Sequence, residues 1–383
     1  MPPADHDCEG RKHDAESLSA TLFRREEVKR LPTRGIGADS RISIRPSMTT
    51  PRSPRRLLAE ALGEVSTETA DAIRSFEQVI EQLEQDDAEQ LLADALRWKG
   101  TAHRELGETR AAAELYDRSM ALARERGNRV AEAHALNCLA IVAQRRGEFA
   151  VAERLYLRAT TLAQSLGERA LIAMIVQNRG VMANIQGEWE MAQRRYYEAR
   201  KIFTGLDHAE GLTWLYNNMG SMHCERGDLD AAEGILELGL RLATQRNDRR
   251  MIGTLQLNRA ALRLRQGRVD DAEEDCWQAY NIAIARGDGL NAAEALLYRS
   301  RIQRIRGDVA AAGASLTRAN TLAVECEDSL LVARVARETA RMQAAEGARP
   351  EARRLLESAR AAYSAMHAEH EVRAIDQELS LLN

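Results

Sequence analysis

Aromatic residues are scarce in this sequence, at 4%, and only seven Pro occur in 383 positions. Ala, Leu, Arg and Glu take their place, and these residues lose little entropy in a helix, so the composition is that of a helix-rich protein. Lys is nearly missing. Lys12, Lys29, Lys99 and Lys201 are the only four, which leaves Arg to supply 50 of the 54 basic side chains. We read that imbalance as the codon bias of a GC-rich bacterial genome, the other reading being Arg selected for forked contacts. The net charge of −4 and a pI near 6.1 leave no excess of either sign that would mark the whole chain for nucleic acid or a membrane surface. Five cysteines, Cys8, Cys138, Cys224, Cys276 and Cys326, are odd in number and far apart, with no CxxC pair. That excludes a disulfide framework and a zinc site, and it suits a reducing cytoplasm. No run approaches the roughly 18 apolar residues that a membrane span needs, and no apolar leader is visible at the N-terminus.

Catalytic signatures are missing as well. There is no GxxxxGK[ST] phosphate loop, no GxSxG elbow and no HExxH metal pair. His367 and His370 stand one helical turn apart but lack a third ligand, so a surface pair is the simpler reading. His103, His134 and His223 read as ordinary groove or surface residues. Trp98, Trp189, Trp214 and Trp277 share no column and form no stacking ladder for bases. The expectation is a protein that is not an enzyme and carries no cofactor and no metal.

What is present is a period. Gly107, Gly147, Gly187, Gly227, Gly267, Gly307 and Gly347 recur every 40 residues. Five of the seven precede an acid: Glu108, Glu148, Glu188, Asp228 and Asp308. Five residues after each Gly stands an Ala without exception, from Ala112 to Ala352. Nine after, the side chain is large or apolar (Tyr116, Tyr156, Tyr196, Leu236), and twelve after it is small (Ser119, Ala159, Ala199, Gly239). Seven before, it is small again (Gly100, Ala140, Gly180, Gly220). A Gly at φ > 0 ends one helix and an acid favours the start of the next. Small columns mark close helix crossings and large columns supply the knobs. Each unit is therefore a helical hairpin, with helix A in about the 17 residues before the Gly and helix B in about the 17 after it. Gly127-Asn128, Gly167-Glu168, Asn247-Asp248 and Gly287-Asp288 mark the turns between hairpins. One hairpin cannot bury its apolar face alone, so the units must stack into a solenoid with a concave inner wall.

These columns resemble the tetratricopeptide repeat. The spacing of small residues in Ala140, Ala152 and Ala159, and again in Gly180, Ala192 and Ala199, carries the likeness, together with the Tyr between the last two positions. The period departs from the usual unit of roughly 34 residues and the closing Pro is missing. Variants of 40 residues are found in kinesin light chain, in Leu-Gly-Asn repeat proteins and in the sensor arms of bacterial regulators. HEAT and armadillo repeats come near this length, but the Gly-acid turn and the Ala column argue against them. The resemblance implies an all-α, right-handed superhelix of about seven hairpins, an α-solenoid, whose A helices line the concave face.

The ends differ from the middle. Ala72 and Phe76 sit one period before Ala112 and Tyr116, so residues 67–84 read as the B helix of a decayed first repeat, with 54–63 as its short A helix. Residues 369–382, with Val372, Ile375, Leu379 and Leu382, read as a lone capping helix. Residues 1–52 hold five of the seven Pro and no periodicity, and are expected to be disordered, leaving 53–383 as the solenoid. Within 41–56 lie five Arg and no acid. This stretch reads as a solvated leader, or sequence upstream of a start at Met48, ahead of an arm for an acidic partner.

On the concave face, nine residues before each Gly, the column reads Trp98, Cys138, Asn178, Asn218, Asn258, Tyr298, Glu338, with Asn137 and Asn217 one residue earlier. An Asn amide donates and accepts, as an extended peptide backbone demands. The resemblance implies that Asn in this column contacts bound peptide backbone; the competing reading is that these amides bond the adjacent hairpin and hold the superhelix pitch. Trp214 adds an apolar wall. Arg301 and Arg304 suggest a subsite for an acidic end or free carboxylate, unless they pair with acids on neighbouring repeats. The expected partner is a protein or peptide, with neither nucleic acid nor membrane, and a homo-oligomer is open. The leading role is an interaction scaffold or adaptor that grips a peptide segment in the groove. The alternative is the peptide- or ligand-sensing arm of a bacterial signalling or transcription regulator.

Overall fold

The computed structural model describes Leu58, Ala61, residues 69–85 and residues 89–382. The expected disordered segment 1–52, and all of the short helix at 54–63 but those two residues, fall outside that range. Sixteen helices make up the described residues. A B-type helix, α1 (Thr69–Gln85), comes first. Seven A–B hairpins follow: α2 (Glu89–Glu105) with α3 (Thr109–Glu125), α4 (Arg129–Arg145) with α5 (Phe149–Leu166), α6 (Arg169–Ile185) with α7 (Trp189–Gly205), and α8 (Ala209–Arg226) with α9 (Leu229–Gln245). The last three are α10 (Arg249–Arg265) with α11 (Val269–Arg286), α12 (Gly289–Ile305) with α13 (Val309–Glu325), and α14 (Ser329–Ala345) with α15 (Arg349–Ala365). A lone helix, α16 (Glu369–Ser380), closes the array. The all-α repeat expected from the period is what the chain forms.

The columns have direct steric causes. Tyr196 of α7 lies flat on Gly180 of α6, where an added Cβ would stand 2.6 Å from the ring. Leu236 lies on Gly220 in the same way at 2.5 Å, so the large residue after the turn occupies the space left by the small one before it. Tyr116, Tyr156 and Tyr196 are completely buried at this crossing. The phenol of Tyr156 donates to Gln144, and that of Tyr116 pairs with Thr101, so both hydroxyls stay satisfied.

Both kinds of turn end a helix in the left-handed region. Every A–B turn uses Gly, at φ from 75° to 96°. The hairpin-to-hairpin turns run nearer 50–71° and admit Asp207, Asn247, Glu327 and His367 beside their glycines. Capping is divided unevenly. Asn128, Asp248, Asp288 and Asp328 accept the third backbone N–H of α4, α10, α12 and α14. Of the five acids after the A–B glycines only Asp308 does so; Glu108, Glu148, Glu188 and Asp228 form no side-chain cap and act through the helix dipole.

Successive A helices touch one another, while successive B helices make no comparable contact. The A helices therefore form the inner ring and the B helices the outer one. The array also winds onto itself. Thr109 Oγ1 donates to the carbonyl of Cys326, 217 residues away. Arg146 pairs with Glu327 at 2.7 Å, and Ser329 Oγ donates to Arg146 O at 2.9 Å. Trp189 meets His370 edge-on, with ring centroids 5.8 Å apart. One apolar cluster joins Phe149 and Tyr156 to Met366, Ala368 and Val372. The first three A–B turns thus carry the hairpin-to-hairpin turns of the last repeats along a continuous seam. The edge formed by the first three A–B turns is covered by the chain's own last repeats.

Candidate functional site

The inner face of the A helices begins with an amide ladder. Asn178 Nδ2 donates to Asn137 Oδ1 at 3.2 Å, and Asn258 Nδ2 donates to Asn217 Oδ1 at 2.8 Å. Each bond links an A helix to the one before it through the same pair of columns. Repeat equivalence demands a third bond between them, from Asn218 to Gln177, and it is not made. Asn217 Nδ2 instead reaches Asn218 Oδ1 at 3.4 Å. Gln177 Oε1 is buried with no hydrogen-bond partner, and Asn218 Nδ2 has none among the described residues. The five asparagines of the sequence reading therefore do come together. Four of them hold adjacent repeats in register, and the joint between α6 and α8 keeps unused donor and acceptor capacity.

Trp214 is also engaged. The guanidinium of Arg250 lies 4.3 Å from its ring centroid. That guanidinium bonds Glu105 at 2.5 Å, and Glu105 also takes Arg104 at 2.7 Å. Glu105 is 5% exposed. Burial disfavours its charge, but Arg250 and Arg104 outweigh burial and hold the carboxyl below the usual range. Sequence reasoning missed this residue, because its partner lies four repeats ahead.

Arg301 and Arg304 have a partner one repeat on. Both bond Glu338, at 3.0 Å each, and that carboxylate is 2% exposed. Glu338 stands in the same column as the asparagines, so the pairing was visible in the sequence had the column been read for charge. Further along, Arg334 takes Glu294 at 2.6 Å and Tyr298 Oη at 2.7 Å. Glu225, on α8, is open to water yet ringed by protein. That surrounding raises its pKa, and Arg334 works against the rise.

Among the described residues no cluster of three or more His, Cys, Asp or Glu is placed to hold a metal ion. No described helix is long and apolar enough to cross a membrane.

The hairpin geometry, the Gly-centred turns and the inner ring of A helices define a tetratricopeptide-type α-solenoid. Residues 91–165 match the tetratricopeptide repeat, and residues 164–375 match the MalT-like TPR region. The chain belongs to the MalT-like TPR family. Comparison with curated proteins yields no match. Among solved structures, the Rap conjugation gene regulator of plasmid pLS20, in complex with the Phr* peptide, has a TM-score of 0.58 at 15% identity, covering 83% of this chain and 89% of that one. The APC/C hetero-tetramer Cut9-Hcn1 also reaches 0.58, at 16% identity, covering 84% of this chain and 56% of that one. A Rap protein complexed with competence and sporulation factor reaches 0.54 at 13% identity, covering 86% and 97%. At these identities the likeness is one of fold.

Proposed function

We propose that this protein holds a peptide segment of a protein partner against the inner face of its A helices, as a scaffold or adaptor, and performs no chemistry of its own. The observation that carries the reading is the break in the amide ladder. Gln177 Oε1 is buried without a donor and the Asn218 amide has hydrogens to give. A buried unpaired acceptor costs about 1–3 kcal/mol, and one residue of extended peptide backbone supplies the donor and acceptor that remove the cost. The Rap structures, which share this fold, hold a peptide and a competence and sporulation factor. Four separate buried thiols, Cys138, Cys224, Cys276 and Cys326, suit a cytoplasmic setting.

The test is affinity capture from the native cell with wild type, with Asn218→Ala, and with Asn178, Asn218 and Asn258 all changed to Ala. The expected outcome is loss of one specific partner in Asn218→Ala, with helicity by circular dichroism unchanged. Recovery of the same partner in the triple variant, at wild-type yield, would reject the site.

A second reading is a sensing arm, and the seam favours it. Repeats four to five apart are locked together, as in Glu105 with Arg250, so a guest that alters the pitch must also strain those contacts. Small-angle scattering with a bound short peptide separates the two. A change in radius of gyration supports sensing, and an unchanged profile supports the scaffold.

A further inference from the structure

Two glutamates share the column two residues before the Gly, Glu105 on α2 and Glu225 on α8. Their partners are opposite in kind. Glu105 is buried and takes two guanidinium groups, Arg104 at 2.7 Å and Arg250 at 2.5 Å. Glu225 is exposed and takes two neutral donors. Asn184 Nδ2, from α6, donates to its Oε2 at 2.8 Å, and Ser221 Oγ, one turn earlier on α8, donates to its Oε1 at 3.3 Å. Among the described residues no cation lies within salt-bridge distance of this carboxylate. Two arginines near it are committed elsewhere. Arg334 bonds Glu294 at 2.6 Å and Tyr298 Oη at 2.7 Å, and Arg265 Nη1 donates to the main-chain carbonyl of Glu225 at 3.3 Å. The other acid close by, Glu371, adds a like charge and is itself held by Arg337.

A spare acceptor stands beside the carboxylate. Asn184 is 6% exposed, and with Nδ2 spent on Glu225 its Oδ1 is buried without a hydrogen-bond partner. The cleft between α6 and α8 therefore holds a negative charge and an idle acceptor, and lacks a donor that carries positive charge. The two donors, one on each carboxylate oxygen, also fix the side chain in place. A glutamate that only meets water gains nothing from being held, because ordering it costs rotamer entropy. A held carboxylate with its charge uncompensated is arranged to receive a cation without further ordering. Burial raises the pKa of Glu225 in spite of Arg334, so the chain's own arginines leave that charge under-compensated. On α8, Asn218, Ser221 and Glu225 stand at i, i+3 and i+7 and share one face, about 10 Å from first to last.

We propose that Glu225, braced by Asn184 and Ser221, receives a basic side chain of the guest, an Arg or Lys about three residues of extended chain away from the residue held at Asn218. The proposal rests on the reading that a peptide occupies the inner face. The guanidinium or ammonium donates to the carboxylate and to Asn184 Oδ1.

Three blocked amino acids serve as probes on the full chain, read by thermal shift and titration calorimetry at constant ionic strength: the Nα-acetyl amides of arginine, lysine and citrulline, the last being an uncharged copy of arginine. Wild type binds the arginine probe roughly tenfold more tightly than the citrulline probe, the weight of one hydrogen bond to a charged group. Glu225→Gln binds the two alike. Asn184→Ala, which removes a brace and keeps the charge, falls between. A lysine probe bound as well as arginine assigns the site to charge alone, and a weaker one to the guanidinium fork; either supports the proposal. Stability supplies a second readout. Glu225→Gln unfolds no earlier than wild type, whereas Glu105→Gln loses stability. The proposal is overturned if wild type does not distinguish arginine from citrulline, or if Glu225→Gln keeps the distinction with native helicity. It is also overturned if Glu225→Gln loses as much stability as Glu105→Gln, since the carboxylate would then already have its cation within the chain. No partner protein is present in these measurements. Failure of the Asn218 capture experiment therefore leaves the basic-residue subsite standing, and failure here leaves the amide site standing.

Discussion

The turns at Gly107, Gly147 and Gly187 and those at Gly227, Gly267, Gly307 and Gly347 share one backbone, with φ between 75° and 96°. Their surroundings differ. A Cβ on the first three would meet Cys326, Met366 and His370, whereas on the last four nothing lies within 4 Å. Two residues after the Gly, Thr109 and Phe149 are buried, Trp189, Leu229 and Val269 are half-buried, and Val309 and Arg349 are exposed. The hairpin is thus set locally and the environment of its turn is set by superhelical winding. One repeat sequence produces an internal joint in the first half and an edge in the second.

The largest expected effect comes from removing the charge at the inner end of the joint. Glu105→Ala leaves Arg104 and Arg250 buried side by side without their carboxylate. We predict a loss of about 3–5 kcal/mol in urea unfolding, the range for breaking a buried pair from one side. Asp270→Ala, which deletes the exposed partner of Arg306 on the open half, should fall within measurement scatter. Equal losses at the two sites would mean that the joint is not closed in solution.

Next in size is the apolar part of the same joint. Phe149 is 3% exposed and shares a cluster with Met366 and Ala368. Phe149→Ala should cost about 3–5 kcal/mol by transfer and cavity terms together. Val309 occupies the same column one half-molecule later and is 38% exposed, so Val309→Ala should cost less than about 1 kcal/mol. Comparable values for the pair would erase the distinction between covered and open turns.

Hairpins, their turns and the closing helix were legible because each is a local consequence of the period. Residues 67–84 and 369–382 were expected as helices, and α1 and α16 fill 69–85 and 369–380. The amide column was legible too, though which amides bond each other was not. The links run from Asn178 to Asn137 and from Asn258 to Asn217, and only the middle link fails. The joint was not legible at all. It pairs Thr109 with Cys326 and Arg146 with Glu327, and such partners are chosen by the rotation accumulated over five hairpins rather than by any one of them. Hindsight finds weak signals. Phe149 and Trp189 outsize their column mates Leu229, Val269 and Val309.

The smallest and sharpest comparison uses the glycines themselves. Ala at Gly227 meets open space, so its cost is the left-handed backbone alone, about 1–2 kcal/mol. Ala at Gly187 has the same backbone cost, and its Cβ would stand 2.5 Å from His370 Nδ1. Overpacking there should add about 1–3 kcal/mol. Because the obstacle is a side chain on α16, shortening it must restore the difference. His370→Ala in the Gly187→Ala background should recover the excess, while His370→Ala with Gly227→Ala should be additive. If the two glycines respond alike and His370 couples to neither, the last repeats do not rest on the first ones. The second superhelical turn would then be free to swing away from the first.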